Sequence, residues 1–437
     1  MVIESRVRAL HDLLDEAPPY EQRGRVRGAL GTAIRVSGIS VRIGQTCTLF
    51  NDVGHPVLLA EVVGLADGEA LLAPMGNLRG LSANTEVSLS VGRDYVPVSD
   101  ALLGRVLDAR LEPLDGRPPV ESDARQPLYA PAPNPMERQR VDRLLETGVR
   151  AIDALLSIGR GQRVGVFAAA GGGKSTLLAT LARQAEADAT VIALIGERGR
   201  EVREFVEDTL GSGGLARSIV IVATSDRPAL ERARAAHAAT AIAEGLRRQG
   251  RHVLLLMDSV TRYSRALREI GLAAGEPPVR RGFPPSVFAE LPRLFERAGC
   301  DANGAITGIY TVLLEDEDDD PIGEEVRSLL DGHIYLSRSL AAKGHYPAID
   351  VLGSQSRLFA GLASAPQKDA AQTLRALMAK LNDIELLIQI GDYQAGQDAL
   401  ADKALAQRDA IERFLRQPMH ECSDLEATLA LLRSFEQ

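Results

Sequence analysis

The stretch from Val164 to Thr176 reads VGVFAAAGGGKST. It runs from an apolar strand, residues 164–167, through a glycine-rich turn into a predicted helix over residues 176–185. In such a turn, glycines let consecutive backbone N–H groups face an anion. The N-terminus of the helix adds a partial positive charge, and Lys174 adds a full one. Strand, turn and helix together predict a phosphate-binding loop in an α/β fold.

The loop residues are expected to hold the phosphates of a nucleotide. They are Ala170, Gly171, Gly172, Gly173, Lys174, Ser175 and Thr176. The first position of the usual G-x-x-x-x-G-K-[ST] pattern is Ala168, which leaves the glycines nearest the phosphates unchanged. The hydroxyl of Ser175 is expected to ligate the Mg²⁺ that bridges the β- and γ-phosphates.

That Mg²⁺ also needs a carboxylate at the end of a nearby strand. Residues 252–257 form an apolar strand that leads directly to Asp258. Alone, an apolar strand followed by Asp is weak evidence, because such an Asp often only caps the next element. Paired with the glycine loop, Asp258 is predicted to organise the Mg²⁺ shell.

A second carboxylate distinguishes an enzyme from a passive nucleotide binder. The apolar run at residues 190–195 is followed by Gly196 and Glu197. One crossover separates this run from Lys174, so both are expected at the same edge of the sheet, where open α/β folds bind ligands. Glu197 is therefore a candidate general base for the attacking water. The alternative is that it only pairs with a neighbouring arginine.

Outward from the loop, apolar runs alternate with helical stretches between about residues 101 and 360. The predicted strands are residues 163–167, 190–195, 218–224 and 252–257, and the longest predicted helix covers residues 229–249. This rhythm predicts a doubly wound, mostly parallel sheet covered by helices. The proline-rich residues 126–135 are expected to run extended along this core.

Composition divides the chain into four predicted parts. Residues 1–23 hold an amphipathic helix, which either caps the neighbouring domain or docks on a partner or membrane surface. Residues 24–93 change to short β runs separated by glycine, which predicts a small closed β-barrel. Residues 94–365 hold the sheet. Residues 366–437 are predicted to form a C-terminal helical domain whose first helix ends at Gly391.

Composition also excludes several classes of protein. The 437 residues carry 50 Lys and Arg against 59 Asp and Glu, with 4% aromatic residues and no Trp. This balance disfavours a nucleic-acid binder, which needs a basic groove and stacking rings. No apolar run approaches the ~20 residues of a spanning helix, and no signal peptide is evident, so a cytoplasmic location is expected. The scattered Cys47, Cys300 and Cys422 support neither a disulfide framework nor a zinc site.

Longer motifs surround the candidate residues. They are GERGRE at residues 196–201, DSVTRY at 258–263, RRGFPPSVFAELPRLFERAG at 280–299, SLLDGHIYLSR at 328–338 and GHYPAIDVLGSQSR at 344–357. The first two resemble the superfamily of rotary ATP synthases and secretion ATPases. The other three resemble the type III secretion ATPases, and the likeness extends from about residue 25 to the end. The sequence IYTVLLEDEDDDP at residues 309–321 resembles the injectisome branch more than the flagellar one.

The resemblance implies a RecA-like sheet in a homohexameric ring, with nucleotide at the interfaces between subunits. Arg357 matches the arginine finger that reaches into the neighbour's site, although the residue alone would be interpreted as a surface arginine. Glu197 matches the catalytic glutamate. The catalytic set implied is Lys174, Glu197, Arg198, Arg262 and Arg357.

The resemblance also implies positions beside the adenine. Tyr346 falls where the family stacks an aromatic ring on the base, whereas from the residue alone a half-buried tyrosine before Pro347 is the likelier interpretation. A second contact is expected from the C-terminal region near Phe414 and Met419. The related rotary enzymes carry an aromatic residue around Met419, so this chain departs from their pattern there.

The function implied is that of a motor that hydrolyses ATP with Mg²⁺ in type III protein secretion. It would release chaperones from exported proteins and unfold the cargo. The partners implied are a peripheral stator, a central stalk, chaperone–effector complexes and the export gate at the inner membrane, with no nucleic acid. The location implied is the cytoplasmic face of that membrane.

Four alternatives remain open at this point. A flagellar export ATPase and the catalytic subunit of a rotary ATP synthase share the chemistry. An RNA-dependent hexameric helicase has a similar core behind an RNA-binding barrel. A non-catalytic ring subunit would keep the phosphate loop, and Glu197 argues against it. Two other features favour structural interpretations: the acidic residues 315–320 as a solvated loop, and His345 as a packed side chain.

Overall fold

The computed structural model describes residues 22–90, 94–169, 171–314 and 320–436. Three sequence predictions therefore lie wholly or largely outside the described residues. They are the helix within residues 1–23, the loop residue Ala170 and the acidic run at residues 315–319. The chain forms two compact units, of which the first is mainly the N-terminal part up to Asp94.

The first unit contains a closed β-barrel, for which the described residues supply six antiparallel strands. The strands are β1 (Arg23–Leu30), β2 (Ala33–Ser37), β3 (Thr46–Phe50), β4 (Pro56–Ala66), β5 (Glu69–Met75) and β6 (Glu86–Leu89). They pair in the order β1-β2-β5-β4-β3-β6, and β6 closes on β1. Alternate residues such as Ile34, Val36 and Leu49 are fully buried, because successive side chains of a strand face opposite sides. The predicted barrel is confirmed.

The second unit is built on a mostly parallel sheet. Two short antiparallel pairs precede or flank it: β7 (Tyr95–Pro97) with β9 (Arg125–Pro127), and β10 (Leu144–Leu145) with β11 (Ile158–Gly159). The strands of the sheet are β8 (Arg105–Asp108), β12 (Arg163–Ala168), β13 (Ala189–Ile195), β14 (Ser218–Ala223), β15 (His252–Asp258), β16 (Gly299–Cys300), β17 (Ala305–Leu313), β18 (Gly332–Leu336) and β19 (Ile349–Ser356).

The main path of the sheet runs β19-β18-β12-β17-β15-β13-β14-β8. Within the described chain, antiparallel pairing in this sheet joins β18 to β19 and β16 to β17. The predicted doubly wound, mostly parallel sheet is confirmed, although β8, β16, β17, β18 and β19 are absent from the sequence prediction. Because β12, β13 and β15 are parallel, the loops that follow them meet at one edge of the sheet.

Helices alternate with the strands of the second unit. They are α1 (Arg150–Leu155), α2 (Lys174–Gln184), α3 (Gly199–Glu204), α4 (Gly211–Ala216), α5 (Ala229–Arg248), α6 (Val260–Ala273), α7 (Pro285–Phe295), α8 (Pro321–Leu329), α9 (Arg338–Ala342) and α10 (Phe359–Leu362). A π-helical stretch, Phe205–Leu210, joins α3 to α4.

The C-terminal region is helical, as predicted. It contains α11 (Ala365–Ile390), α12 (Ala399–Leu415) and α13 (Leu425–Arg433). Helix α11 ends at Gly391, whose φ of 76° is left-handed and favours glycine. Leu374 and Leu377 of α11 are fully buried in the same core as Val164 of β12. The division of this region into a domain of its own, residues 366–437, stays a prediction.

Of two residues that were expected to have structural rather than catalytic roles, one caps a helix and the other is buried. Oδ1 of Asp320, the last acid of the run, accepts the N–H groups of Ile322 and Gly323 at 3.0 and 3.1 Å and so caps α8. His345 is 7% exposed, and burial lowers its pKa. Neither side chain takes part in the site described below.

The start of the segment at residues 126–135 is bonded to the rest of the second unit through a buried ion pair. Arg297 donates from Nε and Nη2 to the two carboxylate oxygens of Glu244, at 2.9 and 2.7 Å. Its Nη1 donates to the Leu128 carbonyl oxygen, and Gln126 Nε2 donates to Glu244, each at 2.9 Å. The two charged side chains are 2% and 3% exposed, so the loss of one partner leaves the other charge buried and unpaired.

We expect Arg297→Met to lower the free energy of unfolding of the second unit by about 3–5 kcal/mol, because Glu244 then keeps an unpaired buried charge. Urea unfolding measures the loss. Arg293→Met is the control, since Arg293 is 71% exposed and pairs with Glu290 one turn away; its effect should stay below about 0.5 kcal/mol. Equal losses in the two variants would contradict the assignment.

Candidate active site

The phosphate loop is shaped by glycines in a left-handed backbone conformation. Gly171 and Gly173, on either side of Gly172, have φ of 82° and 81°, values that residues with a Cβ rarely adopt. The helix α2 begins directly afterwards at Lys174. A Cβ added to Gly173 would lie 3.2 Å from Cε1 of Tyr346. The loop therefore packs closely against that ring.

Lys174 lies between two carboxylates. Its Nζ is 2.5 Å from Oδ1 of Asp258 and 3.7 Å from Oε1 of Glu197. Glu197 also pairs with a second cation, since Nη2 of Arg262 is 3.4 Å from Oε2 of Glu197. Thr311 Oγ1 of β17 donates to Oδ1 of Asp258 at 2.9 Å. The tertiary structure thus brings together Lys174, Glu197, Asp258 and Arg262, which sequence reasoning had proposed from separate motifs.

The electrostatics of Glu197 suit a proton acceptor. Burial raises its pKa to about 7, and the negative charge of Asp258 acts in the same direction, while Lys174 and Arg262 oppose both. This value already includes a hydrogen bond with Glu201, which also raises the pKa of Glu197. In the described chain, Oε1 of Glu197 has no hydrogen-bond partner. A carboxylate that titrates near neutral pH and has a free oxygen can accept a proton from water.

A cavity joins these carboxylates to Ser175. It is lined by Ser175, Leu194, Glu197, Glu201, Val202, Glu204, Phe205, Thr209 and Asp258. The Ser175 hydroxyl and the Asp258 carboxylate are the hard oxygen ligands that Mg²⁺ prefers, with phosphates and water completing its shell. Asp258 already attracts one cation, the ammonium group of Lys174. The residues therefore fit the predicted Mg²⁺ site.

A second cavity adjoins the loop at Tyr346 and Met419, the two positions expected beside adenine. Its remaining walls are Val149, Gly173, Thr176, Leu177, Thr180, Pro347, Gln417 and Pro418. The hydroxyl of Thr180 donates to the Thr176 carbonyl oxygen at 2.9 Å, so it is already engaged. An aromatic ring, a thioether and aliphatic carbons make a slot that suits the flat face of a purine.

Two other predicted residues lie outside both cavities. Arg198 exposes 74% of its side chain and pairs with Glu201 at 3.5 Å, so its catalytic role stays a prediction. Phe414, expected near the adenine, packs instead in the core against Phe435, with ring centroids 5.6 Å apart. Met419 lines the cavity beside Tyr346, whereas Phe414 does not.

Arg357 lies at the opposite end of the strands from the phosphate loop. In the strand register, Ala168 at the start of the loop is level with Leu336, whereas Ser356 is level with Gly332. Arg357 follows Ser356, is exposed, and donates its N–H to the Asp331 carbonyl oxygen at 3.0 Å. The levels of Gly332 and Leu336 are about 13 Å apart along the strand. Arg357 thus does not reach the loop of its own chain.

Sequence reasoning missed several residues that complete the site. Thr311 lies in an apolar strand, and only the pairing of β15 with β17 brings it to Asp258. Val149 and Pro418 are distant in sequence from the loop whose cavity they line, and no local pattern marks them. Glu201 belongs to the GERGRE motif, but its helix begins only at Gly199, after Glu197, so helical spacing did not relate the two residues.

Comparisons with known proteins show the family to which this chain is similar. Residues 148–356 match the ATP synthase alpha/beta family, nucleotide-binding domain. Residues 363–434 match the T3SS EscN ATPase C-terminal domain. The chain is 55% identical over 413 residues to a type 3 secretion system ATPase from Xanthomonas euvesicatoria, covering 94% of this chain and 93% of the relative. It is 46% identical over 421 residues to a flagellum-specific ATP synthase from Treponema pallidum, covering 96% and 94%.

A solved structure is similar over nearly the whole chain. It is the assembled ATPase EscN from the type III secretion system of enteropathogenic E. coli, with a TM-score of 0.87 and 45% sequence identity. The match covers 94% of this chain and 99% of that one. The same values hold for EscN in complex with its central stalk EscO.

Fold and site together define a nucleotide-binding ATPase of the ATP synthase alpha/beta type. More narrowly, the chain belongs to the type III secretion system ATPases, and it is an enzyme that hydrolyses ATP. The family predicted from the motifs is confirmed. Separately, none of the helices in the described ranges combines the length and apolar character needed to cross a bilayer.

We expect Glu197→Gln to stabilise the nucleotide-free protein at alkaline pH. Folding raises the pKa of Glu197 from 4.5 to about 7, so the folded state holds the proton more tightly and loses stability as pH rises through this window. Glutamine carries no charge and escapes this loss. At about pH 8 the variant should unfold several degrees above the wild type, and near pH 4.5 the gain should vanish.

Thermal unfolding at the two pH values measures this difference. Glu204→Gln is the matched control, because Glu204 is 56% exposed and pairs with Arg200 one turn away. We expect no pH-dependent gain from it. If Glu197→Gln instead destabilised the protein at alkaline pH, the charge balance described for this cluster would be wrong.

Proposed function

We propose that this chain is the ATP-hydrolysing subunit of a homohexameric ring that powers type III protein secretion. The proposal depends above all on how the catalytic groups are distributed. Lys174, Glu197 and Asp258 lie in one cluster, while Arg357 is exposed at the opposite end of the strands. Head-to-tail contacts between copies would bring the arginine of one subunit to the loop of the next, and such contacts close into rings.

In this proposal the loop N–H groups and Lys174 bind the phosphates of ATP. The ammonium group of Lys174 lies against Asp258 at 2.5 Å, so an incoming phosphate competes with that carboxylate for it. A triphosphate carries several charges against the single one of Asp258, which favours the exchange. Ser175 and Asp258 would hold Mg²⁺. When bound, Mg²⁺ neutralises charge on the phosphate oxygens.

Glu197 orients the attacking water and takes its proton. The water oxygen forms a bond to the γ-phosphorus as the bond between that phosphorus and the β–γ bridging oxygen breaks. The proton moves to the free Oε1 of Glu197, and ADP and phosphate are the products. General-base help of this kind is worth about 10²–10⁴ in rate. Arg262, 3.4 Å from Oε2, keeps the carboxylate oriented.

The two exposed arginines act on the transferred phosphate. Arg357 of the neighbouring copy stabilises the charge that develops in the transition state, an effect worth about 10³–10⁵ in rate. Arg198 is 74% exposed next to Glu197 and is available to the phosphate side of the same interface. Tyr346 and Met419 hold the base in the second cavity.

The wider role of the ring follows the family. We infer that it is cytoplasmic, is held peripherally at the inner membrane by a stator and the export gate, and surrounds a central stalk. The complex of EscN with EscO supports the stalk. Chaperone–effector complexes would meet the C-terminal helices, where Leu386 and Ile390 are 66% and 64% exposed. ATP hydrolysis would release the chaperones and unfold the cargo. The four-part division of the chain belongs to this proposal.

A mixing experiment tests the shared site. Arg357→Ala and Glu197→Ala should each retain nucleotide binding and lose nearly all turnover. In an equimolar mixture, about a quarter of the head-to-tail interfaces pair an intact Glu197 with an intact Arg357. We therefore expect about a quarter of wild-type ATPase activity after mixing and reassembly, measured as phosphate release.

The control for this experiment is Arg433→Ala, an exposed arginine of the last helix, which should leave turnover unchanged alone and in mixtures. Specific activity of the wild type should also rise with protein concentration as the ring forms. Mixtures that stay inactive, or dilute monomer that turns over at full rate, would contradict a site shared between subunits.

A further inference from the structure

Arg183 forms a bridge between the walls of the two cavities. It is the penultimate residue of α2, the helix that begins at Lys174. Its Nη2 donates to the Met419 carbonyl oxygen at 2.9 Å, and its Nη1 donates to the Thr209 carbonyl oxygen. One rigid guanidinium group therefore holds two segments that are far apart in sequence.

The two segments belong to different parts of the site. Met419 lines the cavity that holds Tyr346. Thr209 lines the cavity of Ser175, Glu197 and Asp258. Arg183 is thus bonded to one wall of the base cavity and to one wall of the cavity in which the phosphate bond breaks.

The carbonyl of Thr209 is available because the backbone changes conformation there. Thr209 lies near the end of the π-helical stretch, and Gly211 follows with φ of 66° and ψ of 176°. This conformation interrupts the regular run of helical hydrogen bonds. A guanidinium N–H can then satisfy a carbonyl oxygen that a continuous helix would have used internally.

The stem of Arg183 passes close to the backbone of α4. A Cβ added to Gly214 of α4 would lie 2.9 Å from Cγ of Arg183, so the absence of a side chain at Gly214 makes room for this stem. No carboxylate of the described residues forms an ion pair with Arg183, and burial lowers its pKa. Because Arg183 donates to two carbonyl oxygens and not to a carboxylate, its role is to hold backbone segments in position and not to balance a charge.

Other bonds hold the rest of the Met419 segment. Arg150 Nη2 donates to the Arg416 carbonyl oxygen at 2.6 Å, and the Gln417 N–H donates to the Tyr346 carbonyl oxygen at 2.9 Å. Gln184 Nε2 reaches the Met419 carbonyl oxygen at 3.4 Å, a longer contact than that of Arg183. The charged donor of Arg183 is accordingly the stronger restraint on Met419 itself.

We propose that Arg183 is a positioning residue that fixes Met419 beside the nucleobase and thereby sets how much the base contributes to nucleotide affinity. The inference rests on the proposed function, because it takes the second cavity as the base site. It adds that the base wall and the wall of the catalytic cavity share one anchor. Nucleotides with a base should depend on Arg183, and phosphates without a base should not.

The test compares ADP with inorganic pyrophosphate as Mg²⁺-dependent competitive inhibitors of ATP hydrolysis by the full chain. Arg183→Met keeps the stem and removes both donors. We expect it to raise the inhibition constant of ADP about tenfold and to change that of pyrophosphate less than about twofold. Arg217→Met is the matched control. Arg217 also donates to carbonyl oxygens at the end of α2, those of Arg183 and Ala185, but it lines neither cavity, so the ratio of the two constants should stay unchanged.

A double variant tests whether the effect passes through Met419. Met419→Ala removes the side chain beside the base, so in that background Arg183→Met should raise the ADP constant by less than about threefold. Should Arg183→Met fail to fold, Arg183→Lys replaces it: a single ammonium group reaches one carbonyl at a time, and the ADP constant should rise about threefold.

Equal changes in both inhibition constants, or a shift in their ratio by Arg217→Met, would overturn the role of Arg183. Full additivity with Met419→Ala would overturn it as well. A failure of the proposed phosphate site has a different signature. In that case Lys174→Ala would still hydrolyse ATP, and pyrophosphate would inhibit it as strongly as the wild type, so both proposals would fall.

Discussion

The rest of the site depends on the ion pairs that Lys174 forms with Asp258 and Glu197. A buried ammonium group needs partners, and two carboxylates supply them at 2.5 and 3.7 Å. The cation in turn allows the two carboxylates to lie near each other, because without it two buried negative charges would repel each other. Asp258 ends one strand, and Glu197 lies two residues beyond the end of the next. The cluster therefore exists only where parallel strands deliver their ends to one edge.

The same sheet that gathers these residues separates them from Arg357. Strand β19 runs antiparallel to β18 and carries the chain back to the far end of the strands before Arg357 is reached. A reversal of one edge strand thus leaves Arg357, the proposed arginine finger, on the surface and away from the phosphate loop of its own chain. In the proposed ring, that surface would face a neighbour, so hydrolysis by one subunit would require the presence of the next. Coupling between subunits would then follow from the position that the fold gives to Arg357.

Several residues of the site were predictable because local chemistry demands them. The glycines of the loop are needed for backbone N–H groups to face an anion, and Gly171 and Gly173 do adopt left-handed φ. Gly391 ends its helix because the left-handed φ at that position also favours glycine. Thr311 and Arg183 were not predictable, since their partners, Asp258, Thr209 and Met419, are separated from them in sequence by between 26 and 236 residues. No local pattern carries information about such contacts.

By itself, the sequence determined the alternation of strands and helices, the phosphate loop and the identity of the acidic and basic groups, because these depend on residue type and short spacing. The tertiary structure decided which groups meet. It set the pKa of Glu197 near neutrality through burial and the charge of Asp258. It also placed Met419, and not Phe414, in the cavity beside Tyr346, and it left Arg357 at the far end of the strands. Burial and strand register depend on contacts across the whole chain, and no short stretch of residues specifies them.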